Sequence, residues 1–207
     1  MMVEAKGPVW HKKQKAQGII PKGLRGLDKE ASWGKSRADG WVYGHGSFCI
    51  TTHEIPVVGI FQWMPNSANE AKRMEKEIIK HGDLIGKIFM DSKADDQKLY
   101  FRLRDEHGIQ LVTQPRKGMD KSESRRRMIA EMLTEENKIE YKERSVRVEP
   151  MQGLVKEIFD LDGCWMRGDA NNRWLLAAMG IAVQMAQLKA YRKNQSTWKI
   201  KTEVLGV

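Results

Sequence analysis

RSVRVEPMQGLVKEIF, residues 144–159, predicts a helix that begins next to a proline and buries one face. Pro150 has no backbone N–H and a fixed φ, so it fits the first turn of a helix and places Glu149 at the helix start. The apolar residues that follow recur at helical spacing: Met151, Leu154, Val155, Ile158 and Phe159. This stripe predicts that the helix packs against a core.

Glu149, Gln152 and Lys156 share a different, polar face of this helix, since they lie three and seven residues apart. A carboxylate, an amide and an ammonium that point in one direction can hold a metal ion and a phosphate together. The same pattern is typical of an ordinary solvated helix face. On this segment alone, both interpretations stay open.

The charge of the chain is concentrated in two blocks. Its 207 residues fit a single domain and carry 36 Lys and Arg against 27 Asp and Glu, a net charge of +9. Residues 1–37, a Gly-rich loop-like segment, hold nine basic residues and three acids. Residues 116–127 hold six basic residues and two acids. Such blocks favour a polyanionic partner such as nucleic acid, although a basic block can also be a solvated loop.

Several classes of protein do not fit the sequence. Cys49 and Cys164 are not spaced as a metal or redox pair, which favours free thiols in a reducing compartment. No apolar h-region opens the sequence, so we expect no signal peptide. The longest apolar run, residues 174–183, is too short to span a bilayer. We therefore expect a cytoplasmic protein that is not in the membrane.

The first half of the chain alternates strand and helix patterns. Residues 41–52 and 57–64 are rich in aromatic and β-branched residues and predict an antiparallel pair of strands. Ser67 and Glu70 form a capping box for a helix that runs to about His81. The apolar run 84–90 then predicts a strand that ends at Asp91.

The second half continues this alternation. We predict a helix over residues 96–106 with Leu99, Tyr100 and Leu103 inward, and a strand over 110–113. Asp91 then stands at the carboxyl edge of a sheet, where functional residues gather in α/β folds, although an Asp there is often a turn or cap residue. The remaining elements are a helix through Met128 and Met132, a strand over 138–148, the Glu149 helix, and a long, almost wholly apolar helix over 170–192.

This order of elements is similar to the ribonuclease H-like fold, an α/β class with a mixed sheet and flanking helices. Four segments resemble the catalytic domain of bacterial insertion-sequence transposases of the DDE class. These are GLRGLDKEASWGKSRADGWVYGH (23–45), NSANEAKRM (66–74), FMDSKADD (89–96) and RVEPMQGLVKEIFDLDGCWMRG (147–168). The resemblance covers nearly the whole chain and implies one catalytic domain over residues 1–207.

Transposases related to the fourth insertion-sequence group carry Tyr, Arg, Glu and Lys around the third acid. Tyr141, Arg144, Glu149 and Lys156 match this signature in type. The interval from Arg144 to Glu149 is one residue longer than the usual pattern, so Arg147 is the alternative for the arginine position.

The resemblance implies DNA cleavage and strand transfer that depend on Mg²⁺ or Mn²⁺. Such chemistry uses two divalent ions about 4 Å apart, and Mg²⁺ prefers oxygen ligands. The resemblance assigns the second acid to Asp91 and the third to Glu149, each as catalytic residue and metal ligand. The expected partner is double-stranded DNA at insertion-sequence ends. The candidate DNA contacts are Gln152, Lys156, Arg144 or Arg147, and Arg125, Arg126 and Arg127 of the basic block.

The first acid of such transposases lies on the opening strand, a few residues upstream of the segment that resembles residues 4–13. We therefore expect the first strand and first catalytic Asp to lie upstream of Met1, and two-metal chemistry to fail without them. Asp28 is expected to have a structural role. The alternative function is a catalytically inactive DNA-binding remnant, or an inhibitor of the intact enzyme that acts through mixed oligomers. A different nuclease on the same fold is a further alternative, and whether identical chains associate stays open.

Overall fold

The computed structural model describes residues 1–36, 40–55, 57–116, 122–147 and 149–206, with the backbone alone at Ser36, Ser145, Arg147 and Glu149. Within these residues the chain forms six strands and eight α-helices. The strands are β1 (Met2–Glu4), β2 (Ser32–Ser36), β3 (Gly40–Thr51), β4 (Val58–Pro65), β5 (Lys87–Phe89) and β6 (Gln110–Val112). The helices are α1 (Lys12–Ala16), α2 (Glu70–Lys80), α3 (Gln97–His107), α4 (Glu123–Met132), α5 (Glu135–Arg147), α6 (Glu149–Phe159), α7 (Asp169–Arg192) and α8 (Lys201–Leu205).

The chain divides into two compact units. The first consists of Met1–Ala68 and Val148–Val207, and the second of Asn69–Arg147. The mixed α/β class is thus confirmed, while the specific ribonuclease H-like arrangement and the single catalytic domain stay predictions. In the described part of the chain, no helix is both long and apolar enough to cross a membrane.

A four-stranded antiparallel sheet forms the centre of the first unit, and β3 is its central strand. Gly44 of β3 pairs with Glu4 of β1 on one side and with Ser32 of β2 on the other. Strand β4 pairs with residues 45–51 of β3, on the same side of β3 as β2. The predicted antiparallel pair is therefore confirmed as β3 and β4. The segment predicted as a loop also contains three short elements, β1, α1 and β2.

The core of the first unit lies between β4 and helices α6, α7 and α8. The predicted stripe of α6 is confirmed, since Met151, Val155 and Ile158 are buried and Leu154 and Phe159 are partly buried. The stripe packs in one cluster with residues of β4, α7 and the segment before α8: Val58, Trp63, Leu176, Met179, Val183 and Ile200. This packing fixes the position of α6 on the sheet.

Asp28 anchors the Gly-rich segment to the sheet, as expected of a structural residue. Its carboxylate is buried, bonds the Nε2 atom of His45 at 2.9 Å and accepts the backbone N–H groups of Glu30, Ala31 and Gly168. Burial alone raises the pKa of this carboxyl, but the hydrogen bonds outweigh burial and hold the pKa below its ordinary value. The ionised form of Asp28 therefore stabilises the folded first unit.

We expect Asp28→Asn to lower the unfolding free energy at pH 7 by about 2 kcal/mol, because an amide cannot replace a carboxylate that accepts this many bonds. A lowered folded-state pKa gives stability that is complete above the unfolded pKa, near 4, and is lost as the pH falls through the folded pKa. The wild type should therefore lose more stability on acidification than the variant. Urea unfolding at pH 7 and below pH 4 measures both effects. Asp162→Asn, at an exposed site, is the control, and an equal loss in this control would contradict the expectation.

The second unit contains a parallel pair of strands, β5 and β6, with helices α2 to α5. The predicted helix over 96–106 is confirmed as α3, with Leu99, Tyr100 and Leu103 buried. Strand β5 is shorter than the predicted run 84–90, because a 3-10 helix over Gly82–Leu84 leaves Leu84 87 % exposed. Helix α2 is capped by the Asn69 side chain, which accepts the Lys72 N–H, and not by the predicted Ser67.

The predicted strand over residues 138–148 is wrong, since residues 135–147 form helix α5. Thr134 begins this helix, as its hydroxyl accepts the Asn137 N–H and its carbonyl accepts the Lys138 N–H. Lys138 also pairs with Glu135 one turn earlier, at 2.6 Å. The many Glu, Lys and Arg residues of this segment have high helix propensity, which outweighs its few β-branched residues.

Candidate metal and nucleic-acid site

Asp91 lies where strand β5 ends, beside the end of its parallel neighbour β6. Met90 donates its backbone N–H to Val112, and the Thr113 hydroxyl donates to the Asp91 carbonyl at 2.7 Å. The carboxyl ends of both strands therefore meet next to Asp91, as the sequence predicted for a functional acid. The Asp91 side chain is exposed.

Asp91 also has the cap role that was the alternative interpretation. Its Oδ1 atom accepts the Lys93 N–H at 2.9 Å and begins a 3-10 helix over Ser92–Ala94. No other residue in the described ranges donates to the carboxylate, so its second oxygen faces solvent. One carboxylate oxygen thus fixes the loop while the other is available to a ligand.

Arg116 holds the loop after Asp91 in place. Its guanidinium donates to the carbonyls of Ser92 at 2.9 Å and Lys93 at 2.8 Å, and its backbone N–H donates to Asp95 at 2.6 Å. In the sequence, Arg116 stands out only as one member of the basic block over residues 116–127. The structure instead makes it a support of the Asp91 loop.

Arg125, predicted to contact DNA, is buried, and that prediction is wrong. Its guanidinium is paired with the buried carboxylate of Asp95 at 2.5 Å. A buried charge requires a partner of opposite charge, and Asp95 and Arg125 are such partners for each other. Arg125 therefore connects α4 to the loop that begins at Asp91 and has no surface to offer a phosphate.

Arg126 and Arg127 have the exposure that a phosphate contact needs. Both are exposed, and Arg127 forms a surface pair with Glu131 at 2.9 Å, one turn further along α4. Such a pair is weak and easily exchanged for a phosphate. Lys117 and Lys121 of the same basic block lie outside the described residues.

Helix α6 presents two of its three predicted site residues on a partly exposed face. Gln152 and Lys156 are partly exposed, while Met151 and Val155 are buried on the other side of the helix. The side chain of Glu149 lies outside the described residues, although its backbone begins α6 as predicted. The buried stripe thus directs the polar face of α6 away from the core.

Of the two candidates for the arginine position, Arg144 is partly exposed and lies over the Tyr141 ring, with its guanidinium carbon 5.2 Å from the ring centroid. This contact joins the Tyr and Arg of the proposed signature on one face of α5. The Arg147 side chain lies outside the described residues.

Among the residues whose placement is described, no three His, Cys, Asp or Glu side chains cluster closely enough to form a metal site. Asp91 on its own can supply one oxygen ligand, and Mg²⁺ commonly binds proteins through one or two carboxylates plus water and phosphate. Comparison of the chain with models of protein families, with curated proteins and with solved structures finds no match.

Proposed function

We propose that this chain is the catalytic region of a DDE-type transposase, which cleaves DNA at the ends of an insertion sequence and transfers the freed strand. The observation that carries the proposal is the exposed carboxylate of Asp91 at the carboxyl ends of β5 and β6, in a loop fixed by Arg116 and Thr113. A carboxylate held on a rigid loop with one free oxygen has the character of a metal ligand. The second support is the sequence resemblance over residues 23–45, 66–74, 89–96 and 147–168.

Asp91 and Glu149 are the proposed ligands of Mg²⁺ or Mn²⁺. Bound divalent ions would activate the attacking oxygen and neutralise charge on the leaving oxygen of a phosphodiester. The assignment of both acids to common ions comes from the resemblance to DDE transposases. Arg116 and Thr113 hold the backbone next to Asp91 so that its free oxygen keeps one position.

Lys156 and Gln152 are the proposed contacts to the DNA backbone, because they share the polar face of α6 that begins with Glu149. An ammonium attracts a phosphate as a point charge, and an amide N–H can donate to a phosphate oxygen. Arg144 or Arg147 adds a further cationic contact near the same helix start. These residues would orient the scissile strand next to the metal ligands.

Iron-directed cleavage of the protein tests whether Asp91 and Glu149 share a metal. Fe²⁺ occupies oxygen-rich Mg²⁺ sites, and with ascorbate and peroxide it cuts the backbone beside the ion. We expect cuts near residues 91 and 149 together, which excess Mg²⁺ suppresses and Asp91→Asn abolishes at both positions. Asp83→Asn, an exposed acid before β5, should leave both cuts in place.

Cuts at one position only, or cuts that survive Asp91→Asn, would contradict a shared site. DNA binding without any Mg²⁺-sensitive cut would favour the inactive DNA-binding remnant. Mass spectrometry of the fragments identifies the cut positions and separates these outcomes.

We expect Arg126→Gln with Arg127→Gln to reduce the salt dependence of DNA binding. Each lost phosphate contact should lower the slope of log affinity against log salt by about 0.9, so the double variant should lose roughly 2. Fluorescence anisotropy with labelled duplex DNA at several salt concentrations measures the slope. Lys72→Gln with Lys76→Gln removes the same charge from the exposed side of α2. An equal change in both pairs would mean that only net charge matters and that α4 makes no specific contact.

A further inference from the structure

Helix α7 has an apolar outer face. Five large apolar side chains on this face are between 49 % and 70 % exposed, and we name them the α7 seam: Trp174, Ile181, Met185, Leu188 and Tyr191. Residues 174–188 contain no charged residue. The seam runs for roughly 25 Å along the helix at 1.5 Å per residue. A helix that faces water normally carries charged residues on that side.

The polar residues of the same stretch are turned inward. Gln187 is fully buried and accepts the Val58 N–H at 2.9 Å. Gln184 donates to the carbonyls of Val58 and Gly59 at 2.7 and 2.9 Å. Both glutamines therefore bond the backbone of strand β4, and the exposed side chains between residues 174 and 188 are all apolar. The charged Lys189 and Arg192 follow at the end of the helix, where both are exposed. Within residues 174–188 this is the reverse of the distribution that a solvent-facing helix shows, and it indicates a face that another surface covers.

The two ends of the seam have complementary shapes. Trp174, 70 % exposed, projects near the start of α7. Leu188 and Tyr191, near its end, line an apolar groove together with Thr52, His53, Glu54, Ile55 and Val57. Ala177 and Ala178 lie about one helical turn after Trp174, and their small side chains leave room for an approaching helix. The seam thus carries a protruding ring at one end and a recess at the other.

We propose that the α7 seam is the interface of a twofold homodimer, in which two α7 helices cross antiparallel. A twofold axis near the middle of the seam, between Ile181 and Met185, places residue 174 of each copy opposite residues 188–191 of the other. Trp174 of each copy then fills the groove beside Ile55 of the other copy. The same patch of each copy thereby contacts the same patch of the other copy, as a closed twofold interface requires.

The exposed area suits this partner. Five side chains of about 200 Å² each, slightly more than half exposed, offer roughly 600 Å² per copy. Two copies bury about 1,200 Å², the lower limit for a specific stable interface. We therefore expect a dimer of micromolar affinity that forms in a concentration-dependent manner. The inference does not depend on the proposed function, since no catalytic or DNA-contacting residue lies in the seam.

Sedimentation velocity across a concentration series tests the dimer. We expect the wild-type chain to change from monomer to dimer between about 1 and 100 μM. Met185→Glu should weaken the dimer by about 100-fold, because it buries an unpaired carboxylate. Trp174→Ala should weaken the dimer by at least about tenfold, because the groove of the other copy then stays unfilled. Leu84→Glu, which places the same charge on an exposed leucine of the second unit, should leave dimerisation unchanged.

Both seam variants should fold normally, because the replaced side chains are exposed in the single chain. Unchanged far-UV circular dichroism and an unchanged urea midpoint at low protein concentration verify this. A wild-type chain that stays monomeric at about 200 μM, or a dimer that both seam variants retain, would overturn the proposal. The first result would mean that the seam does not bind a second copy of the chain, and the second that the chain dimerises through another surface.

Discussion

Arg125→Ala is expected to destabilise the second unit by about 3 kcal/mol, because it leaves the buried carboxylate of Asp95 without its charged partner. Asp95 would retain one donor, the Arg116 N–H at 2.6 Å. Its other oxygen, Oδ1, is buried and already has no partner among the described residues. Arg125→Lys keeps the charge but has a shorter reach and no planar fork, so we expect it to recover only part of the loss.

The neighbouring arginines are matched controls for this prediction. Arg126→Ala and Arg127→Ala remove the same charge from exposed positions of the same helix and should change the unfolding free energy by less than about 0.5 kcal/mol. All seven tryptophans lie in the first unit. Urea unfolding followed by tryptophan fluorescence therefore reports on the first unit, while far-UV circular dichroism also detects the helices of the second. Three arginine variants with equal stability would show that the Arg125–Asp95 pair contributes little.

The elements with strong hydrophobic periodicity could be predicted from the sequence. Helices α3 and α6 each show apolar residues at helical spacing, and these are the residues that the structure buries or partly buries. The pair β3 and β4 was predictable from its aromatic and β-branched residues with a short interval between them. Helix α5 was not, because it contains few apolar residues and its helix depends on local polar contacts.

The role of Arg125 could not be predicted from its local sequence. Arg125, Arg126 and Arg127 are identical in type and adjacent, and only the position of Asp95, thirty residues earlier, makes the first of them a core residue. A charge run specifies no partner, so long-range packing decides which member is buried. Asp91 was easier to place, because an acid directly after a buried strand lies at the strand's carboxyl end in any α/β arrangement.

Local sequence also does not show which face of α7 is exposed. Residues 174–188 contain no charged side chain, yet the structure buries only one side of the helix. Gln184 and Gln187 determine which side, because they bond to the backbone of β4. Two polar residues in an apolar stretch thus orient the whole helix, and this effect appears only when their partners are known.

Glu149→Gln is expected to abolish DNA cleavage while DNA binding is retained. The reference for this experiment is a parent polypeptide that cleaves DNA. A neutral amide is a poor Mg²⁺ ligand, so the rate should fall by roughly 1,000-fold or more, about 4 kcal/mol in activation free energy. Asp91→Asn should have an equally large effect for the same reason. Nicking of supercoiled DNA that carries the inverted repeats, with Mg²⁺ present, measures the rate, and anisotropy measures binding.

The two variants together should be no worse than either one, because ligands of one metal centre act as a unit and their losses do not add. Glu157→Gln is the matched control, since Glu157 lies on the same helix, is exposed, and forms a surface pair with Lys201 at 2.9 Å. Cleavage that persists in Glu149→Gln would mean that a different acid binds the metal. Losses that multiply in the double variant would mean that Asp91 and Glu149 act independently, and the shared metal centre would then have to be abandoned.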